Sequence, residues 1–414
     1  MNLRHLTCLA LVAAALPARG AEEVFDRIED ALSWSAADAR VRTRVSGLMD
    51  LEGYSFQQPV EALVHTNSHA LFSPRLSVFF DAQLGAGIYL FAQARADRGF
   101  DPSDDGAQVR LDEYAVRVTP WKDGRFNVQV GKFATVVGNW VSRHASWSNP
   151  FITAPLAYEN LTGVWDAEAL RSSNTLLQWS HVRPGLPANI TAQEKFLRIP
   201  VIWGPSYALG AAVSGEVMRM QYAFEVKHAS LSSRPEAWSH ADAWSHPTVS
   251  GRLGYRAGQA WNIGVSASTG TYLRPFAQRT VPARRAFGDF RQVVFGQDVS
   301  FAWHHLQVWS EIYAARFEIP GVGDADTLAY YAEAKYKFTP QFSAALRWNR
   351  QLFDTISDRA GPTRWGPNLW RIDFAPAYRF TPHTQAKLQY SLQKATVGAR
   401  DYSQLVAMQL TVRF

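Results

Sequence analysis

From residue 43 onward the sequence alternates with a period of two, in segments of about ten residues. In Met218–His228, Met220, Tyr222, Phe224 and Val226 oppose Arg219, Gln221, Glu225 and Lys227. In Thr327–Phe338, Leu328, Tyr330, Ala332, Ala334, Tyr336 and Phe338 oppose Tyr331, Glu333, Lys335 and Lys337. The same division recurs in 247–256, 260–269, 306–317, 341–349, 369–379 and 383–393, always with charge on one side only. Successive side chains of a strand point to opposite faces, so each segment is a strand with one apolar and one charged face. A soluble sandwich would alternate in the same way, so the pattern does not say which face is wet.

The connections discriminate. Tight turns near 83–86, 120–124, 172–174, 214–217, 257–260, 303–306, 338–341 and 380–383 alternate with long stretches at 55–70, 97–106, 134–162, 184–205, 230–246, 271–289, 318–326, 351–368 and 394–402. Short and long connections in strict alternation describe an up-and-down barrel with a short-turn periplasmic rim and a long-loop outer rim. Both ends on the periplasmic side require an even strand count; with Phe196–Trp203 assigned to the 184–205 loop, the count is about 18, within a range of 16–20. The fold class expected is therefore all-β: a transmembrane up-and-down antiparallel β-barrel with a short N-terminal periplasmic helix. A barrel of this size encloses a water channel, whereas about eight strands leave room only for side chains.

Met1–Gly20 has a basic start (Arg4, His5), an apolar run from Leu6 to Leu16, and Ala18-Arg19-Gly20 ahead of Ala21. These predict a secretory signal peptide over 1–20, too short to span a hydrocarbon core. The single cysteine, Cys8, lies within it, so no disulfide or Cys-based metal site is expected in the exported chain. Residues 21–42 are expected to form the periplasmic helical segment, because Val24, Phe25, Ile28, Ala31 and Leu32 share one helical face within 22–39. The barrel should then occupy 43–414. After the signal peptide no apolar run approaches the roughly 20 residues of a spanning helix, so membrane insertion must be by strands. The 15 Trp and 15 Tyr fit two interfacial girdles. The formal charge of +6, part of it from Arg4 and Arg19, forms no clustered run and argues against nucleic-acid binding.

The last thirteen residues place Tyr402, Gln404, Val406, Met408, Leu410, Val412 and Phe414 on one face, and end on the aromatic Phe414. This resembles the closing strand of bacterial outer-membrane barrels, in which a terminal aromatic is read by the insertion machinery. With the strand Val109–Pro120 (VRLDEYAVRVTP) and the hairpin to Val128–Phe133 (VQVGKF) followed by Gly138, the chain resembles a Gram-negative outer-membrane porin. The closest parallel is the phosphate-selective porin O and P superfamily. The resemblance implies passive diffusion of small solutes, but no phosphate site, because that family's loop arginines and lysines find no residue-by-residue counterpart here. It also implies outer-membrane lipid and lipopolysaccharide as surroundings, and leaves open a homotrimer or a periplasmic partner protein.

Within 134–162 the sequence is unusually apolar for a solvent loop, so it is expected to fold inward against the barrel wall and form the constriction, with Trp140, Arg143, His144 and Trp147 at the narrowest point. An outer lid or an oligomer contact is the competing reading. Taking the charged face as luminal, Arg219, Lys227, Arg252, Arg256, Lys335, Arg347, Arg371, Arg379 and Lys387 outnumber Glu225, Glu311, Glu333 and Asp373, which favours anions unless the charges pair across strands. The parity of 109–118 is ambiguous, since Arg110 and Asp112 fall in line with Tyr114, Val116 and Val118. No catalytic constellation or cofactor motif stands out, and His304-His305 lacks a third metal ligand at useful spacing. The alternative function is a barrel sheath around a periplasmic or multihaem electron-transfer partner; a soluble carbohydrate-binding sandwich is the remaining reading.

Overall fold

A computed structural model describes residues 18–414 apart from 37, 39, 58–63, 65–68, 99–106, 122, 181–197, 236–243 and 396–401. Helix α1 (Ala18–Ala31) leads into the short strand β1 (Ser33–Ala36). The wall begins with β2 (Val41–Phe56), β3 (Ala70–Leu84), β4 (Ile88–Asp97), β5 (Gln108–Val118), β6 (Asn127–Phe133), β7 (Ala208–Val217), β8 (Met220–Lys227) and β9 (Thr248–Ala257). It continues through β10 (Trp261–Thr271), β11 (Arg291–Trp303), β12 (Leu306–Ile319), β13 (Gly323–Lys337) and β14 (Phe342–Phe353). A two-stranded loop hairpin, β15 (Thr355–Asp358) with β16 (Gly361–Arg364), precedes β17 (Leu369–Arg379), β18 (Thr384–Ala395) and β19 (Ser403–Arg413). Every neighbouring pair is antiparallel, and β19 pairs with β2 from Leu405↔Phe56 to Arg413↔Leu48, so the sheet closes into a barrel of sixteen strands. Closure leaves no open edge for the backbone to expose to lipid.

The count of sixteen lies within the expected range of 16–20, and it falls two below eighteen for an identifiable reason. The stretch around 172–174 is not a strand turn: Ser172 caps a helix, its side chain accepting from the Thr175 N–H, and Ser173–Trp179 is helical. The segment 134–207 is therefore one long insertion between β6 and β7, and the hairpin expected between two separate loops is absent. Arg198, within the stretch left to the loop, forms an isolated β-bridge with Trp165 rather than part of a wall strand. On the same rim the connection expected at 318–326 shrinks to 320–322, because β12 and β13 run on to Ile319↔Gly323. The helix is also shorter at its end than the pattern over 22–39 suggested: it stops at Ala31, and Ser33–Ala36 pairs with the start of β2. Of the expected signal peptide, residues 1–17, with Cys8, lie outside the described residues.

The faces follow the alternation. On β13, Thr327, Ala329, Tyr331 and Glu333 are buried, whereas Leu328, Tyr330 and Ala334 between them are half-buried and Ala332 and Tyr336 exposed. Large apolar side chains such as Phe224, Phe295, Leu346, Phe374 and Leu388 stand exposed around the outside of the wall, which is the surface a bilayer requires. Buried polar groups such as Glu225, Glu311, Arg347, Asp373 and Gln389 face inward.

The seam is finished by the last residue. Phe414 and Gly47 exchange backbone hydrogen bonds (N to O 3.1 and 2.8 Å), and the Phe414 ring lies over Gly47 so closely that a Cβ there would meet its Cζ at 2.2 Å. An aromatic laid over a strand glycine fills the gap left by the missing side chain. Gly47→Val should therefore displace the ring and destabilise closure by about 1–3 kcal/mol. The check is the denaturant midpoint of the detergent-folded barrel, which should fall below that of the wild type.

Candidate channel constriction

A barrel this wide has room for irregular chain, but any backbone inside it must find hydrogen-bond partners. The inward face of the wall supplies them to 134–160. The N–H of Ala134 donates to Glu113 (2.8 Å) and that of Val136 to Glu225 (3.2 Å). The N–H groups of Asn139 and Trp140 both donate to Oε1 of Glu311, the latter at 2.9 Å, while its Oε2 accepts from the Tyr158 hydroxyl (2.7 Å). Farther on, the Ile152 N–H donates to Gln389 (2.7 Å) and the Leu156 N–H to Asn349 (3.3 Å).

Cations on the wall bind the segment's acceptors. Arg347 Nη2 donates to the Thr153 carbonyl (3.1 Å), Lys387 Nζ to the carbonyls of Ser146 and Asn149, and Arg371 forms an ion pair with Glu159. Arg143, on the segment itself, pairs with Glu333, donates to the Tyr331 hydroxyl (3.0 Å) and stacks over Trp309 (4.4 Å).

Apolar packing fixes the remainder. Toward the long-loop rim, α2 (Leu156–Glu159) and α3 (Ser173–Trp179) contribute Leu156, Leu176 and Leu177 to a core with Leu161, Leu170, Trp203, Tyr272, Phe317, Phe353 and Trp365. A second cluster joins Val137, Trp140, Val141, Tyr158, Val201 and Ile202 to Tyr313 and Tyr331. Most of these contacts hold the insertion against β10–β18, and a space remains between it and β2–β5.

That space is a cavity of about 300 Å³. One side is Asp50, Glu52, Tyr54, Arg75, Arg95, Asp97, Arg110 and Glu113 of β2–β5; the other includes Trp140, His144, Ser146, Asn149, Thr153 and Glu159 of the insertion. Each wall arginine sits on carboxylates. Arg75 reaches Asp50 (2.9 Å) and Glu52 (2.5 Å), Arg95 reaches Asp112 (3.0 Å), and Arg110 reaches Asp112 (2.8 Å) and Asp97 (Nη2 to Oδ2, 3.1 Å).

The expected constriction residues are distributed unevenly. Trp140 and His144 line the cavity, Arg143 points away from it into the wall, and Trp147 lies toward the short-turn rim, with the Arg379 and Arg413 guanidinium groups 5.0 and 4.5 Å from its ring centre. His144 Nε2 lies 2.8 Å from the Tyr207 hydroxyl. Burial pushes its imidazole down to about 4, against the raising effect of its hydrogen bond to the Val141 carbonyl, so the ring is neutral at pH 7.

Of the expected luminal cations, Arg347, Arg371 and Lys387 hold the insertion as described. Lys227 pairs with Glu225 (3.2 Å), Arg252 with Asp298 (2.6 Å) and the exposed Arg256 with Glu216 (3.1 Å). Arg219 lies exposed in the β7–β8 turn. Lys335 and Arg379 line a second cavity near the short-turn rim, with Lys337, Lys387 and Trp147.

The arginines of β3–β5 were missed, and for β5 the cause is a bulge. Gln93 pairs with Glu113 but Ala94 with Leu111, so Asp112 is an extra residue and the inward parity changes there. Arg110 and Asp112 are buried on one side of it and Ala115 on the other. A run of charges that switches parity within one strand was the available signal.

No family model matches the chain, and no curated protein matches it. Solved structures do share its fold. OmpF of Salmonella typhi, in complex with daunomycin, aligns with a TM-score of 0.56 at 9% identity, over 92% of this chain and 100% of that one. The outer-membrane channel DcaP of Acinetobacter baumannii gives 0.57 at 9%, over 92% and 99%. An anion-selective porin from Comamonas acidovorans gives 0.54 at 11%, over 90% and 100%. The fold is that of Gram-negative outer-membrane porins, a closed antiparallel β-barrel.

Two residues test the anchoring. Gly138 has φ +75°, and a Cβ there would meet the Tyr313 hydroxyl at 2.0 Å and a Glu311 carboxylate oxygen at 2.8 Å. Gly138→Ala should lift the insertion off Glu311. Glu311→Leu removes the shared acceptor directly, at about 1.5–3 kcal/mol for each hydrogen bond to the carboxylate. Both variants should raise single-channel conductance in planar bilayers; unchanged conductance in both would show that the insertion does not limit flow.

Proposed function

We propose that the protein is a passive-diffusion channel for small hydrophilic solutes, with its constriction between the 140–154 stretch of the insertion and β2–β5. The observation that carries this reading is the polar cavity itself, bounded by ionised side chains of both signs. Its volume of about 300 Å³ is room for roughly ten waters, which restricts passage to small solutes. The resemblance of Val109–Pro120 and Val128–Phe133 to phosphate-selective porins supports the class of channel, and nothing finer is taken from it. Trp140 and His144 are the members of the expected set proposed to touch the solute.

A modest preference for anions is the finer part of the proposal. At the constriction the charges are paired, so they contribute little net field. Near the short-turn rim the second cavity is lined by Lys335, Lys337 and Arg379, with Lys387 turned to the insertion's carbonyls and no carboxylate among the described lining residues, and uncompensated cations attract anions. The Comamonas neighbour is itself described as anion-selective. The sheath alternative is less well supported, because the lumen already carries the chain's own insertion, and the cavity left is of a size for small molecules rather than for a protein domain.

Reversal potentials in a salt gradient test the preference. The wild type should favour anions, and Lys337→Gln combined with Arg379→Gln should reduce that preference; a cation-selective wild type would refute the assignment. Because His144 is already neutral at pH 7, it should contribute no titration to the selectivity between about pH 7.5 and 5.5. A midpoint near the ordinary histidine value, lost in His144→Gln, would show that this ring is solvated and charged.

A further inference from the structure

Three metal-binding side chains meet at the seam of the barrel, away from the channel. Asp26 and Glu29 lie three residues apart on one face of α1, and His383 lies in the β17–β18 turn; one ligand atom from each falls within 4.8 Å of the others. His383 is 3% exposed, and its ring stacks on Phe25 with centroids 5.6 Å apart. Its Nδ1 lies 3.1 Å from the carbonyl of Arg413, a group that can only accept, so Nδ1 carries a hydrogen.

Nε2 is then directed at Asp26 Oδ1, 2.9 Å away. In the neutral ring a lone pair faces a carboxylate oxygen, and that contact requires a positive charge between the two atoms. Metal-bound histidines are oriented in the same way, the second ring N–H donating to a backbone carbonyl. Glu29 is steered in turn by an ion pair with Arg44.

We propose that Asp26, Glu29 and His383 form a binding site for a first-row divalent cation of the zinc class. One imidazole nitrogen and two carboxylates suit such an ion better than magnesium or calcium, which prefer oxygen ligands alone. The location gives the site a role. β1 pairs with Val41–Arg44 of β2, just below the point where Phe414 meets Gly47, while α1 reaches across to the β17–β18 turn. A bound cation ties the chain ahead of the first barrel strand to the β17–β18 turn, across the line on which the barrel closes.

The test uses the full protein purified from outer membranes in detergent, with Zn²⁺ alone as the probe. Calorimetric titration should show one site per chain, and Co²⁺ should give a visible absorption band that Zn²⁺ abolishes. His383→Gln, Asp26→Asn and Glu29→Gln should each weaken binding by about tenfold or more. His304→Gln with His305→Gln should leave it unchanged, and heat-modifiable migration would establish that each variant folds. Absence of Zn²⁺ binding at millimolar concentration would overturn the site and leave a simple imidazolium–carboxylate pair; equal binding by wild type and His383→Gln would overturn it as well. Neither result bears on the conductance experiments.

Discussion

A backbone without regular structure can be buried inside a barrel only if the wall answers its N–H and C=O groups, and most other features of this molecule depend on that requirement. The wall answers with side chains. Glu113, Glu225, Glu311, Asn349 and Gln389 accept from the insertion's N–H groups, and Arg347 and Lys387 donate to its carbonyls. These are the charged and polar positions of the alternating strands. A side chain held by the insertion in a nearly dry interior cannot also present an open charge to passing solutes.

The same requirement explains why the acids and bases occur in connected sets. Arg347 lies 2.9 Å from Asp373 and 3.7 Å from Glu333, Glu333 is shared with Arg143, and Asp373 is shared with Arg371. Removing one member of a buried set leaves an uncompensated charge, which costs several times what the intact pair contributes. Such sets specify where the insertion sits more than they add to stability. Apolar contacts, including Leu176, Leu177 and Trp365 at full burial, supply the non-directional part.

Much of the barrel was legible in the sequence because strand alternation is a local property. The two faces of Met218–His228 and Thr327–Phe338 and the short turns at 338–341 and 380–383 are all written within a dozen residues. The strand count was less legible, because Ser172–Trp179 reads as a turn between strands when the helix is capped by a single serine side chain. The site was less legible still. Whether Arg347 faces water or the Thr153 carbonyl depends on residues almost two hundred positions apart, and the single-residue bulge at Asp112 reversed the faces of the one strand that carries Arg110.

The division of the lumen follows from these placements. Most of the insertion's aromatic and aliphatic side chains pack on β10–β17, where Tyr272, Phe317, Phe353 and Trp365 extend the apolar region toward the long-loop rim, while Ile152 packs beside the seam with Tyr54, Phe56 and Leu405. The cavity lies on the side of β2–β5, where its wall includes Asp50, Glu52, Arg75, Arg95 and Arg110. At the proposed constriction, an eccentric cavity of this kind makes the local field a property of four strands rather than of sixteen. The charges covered by the insertion act there only through the position in which they hold residues 134–160, whereas Lys335, Lys337 and Arg379 open onto the second cavity near the short-turn rim.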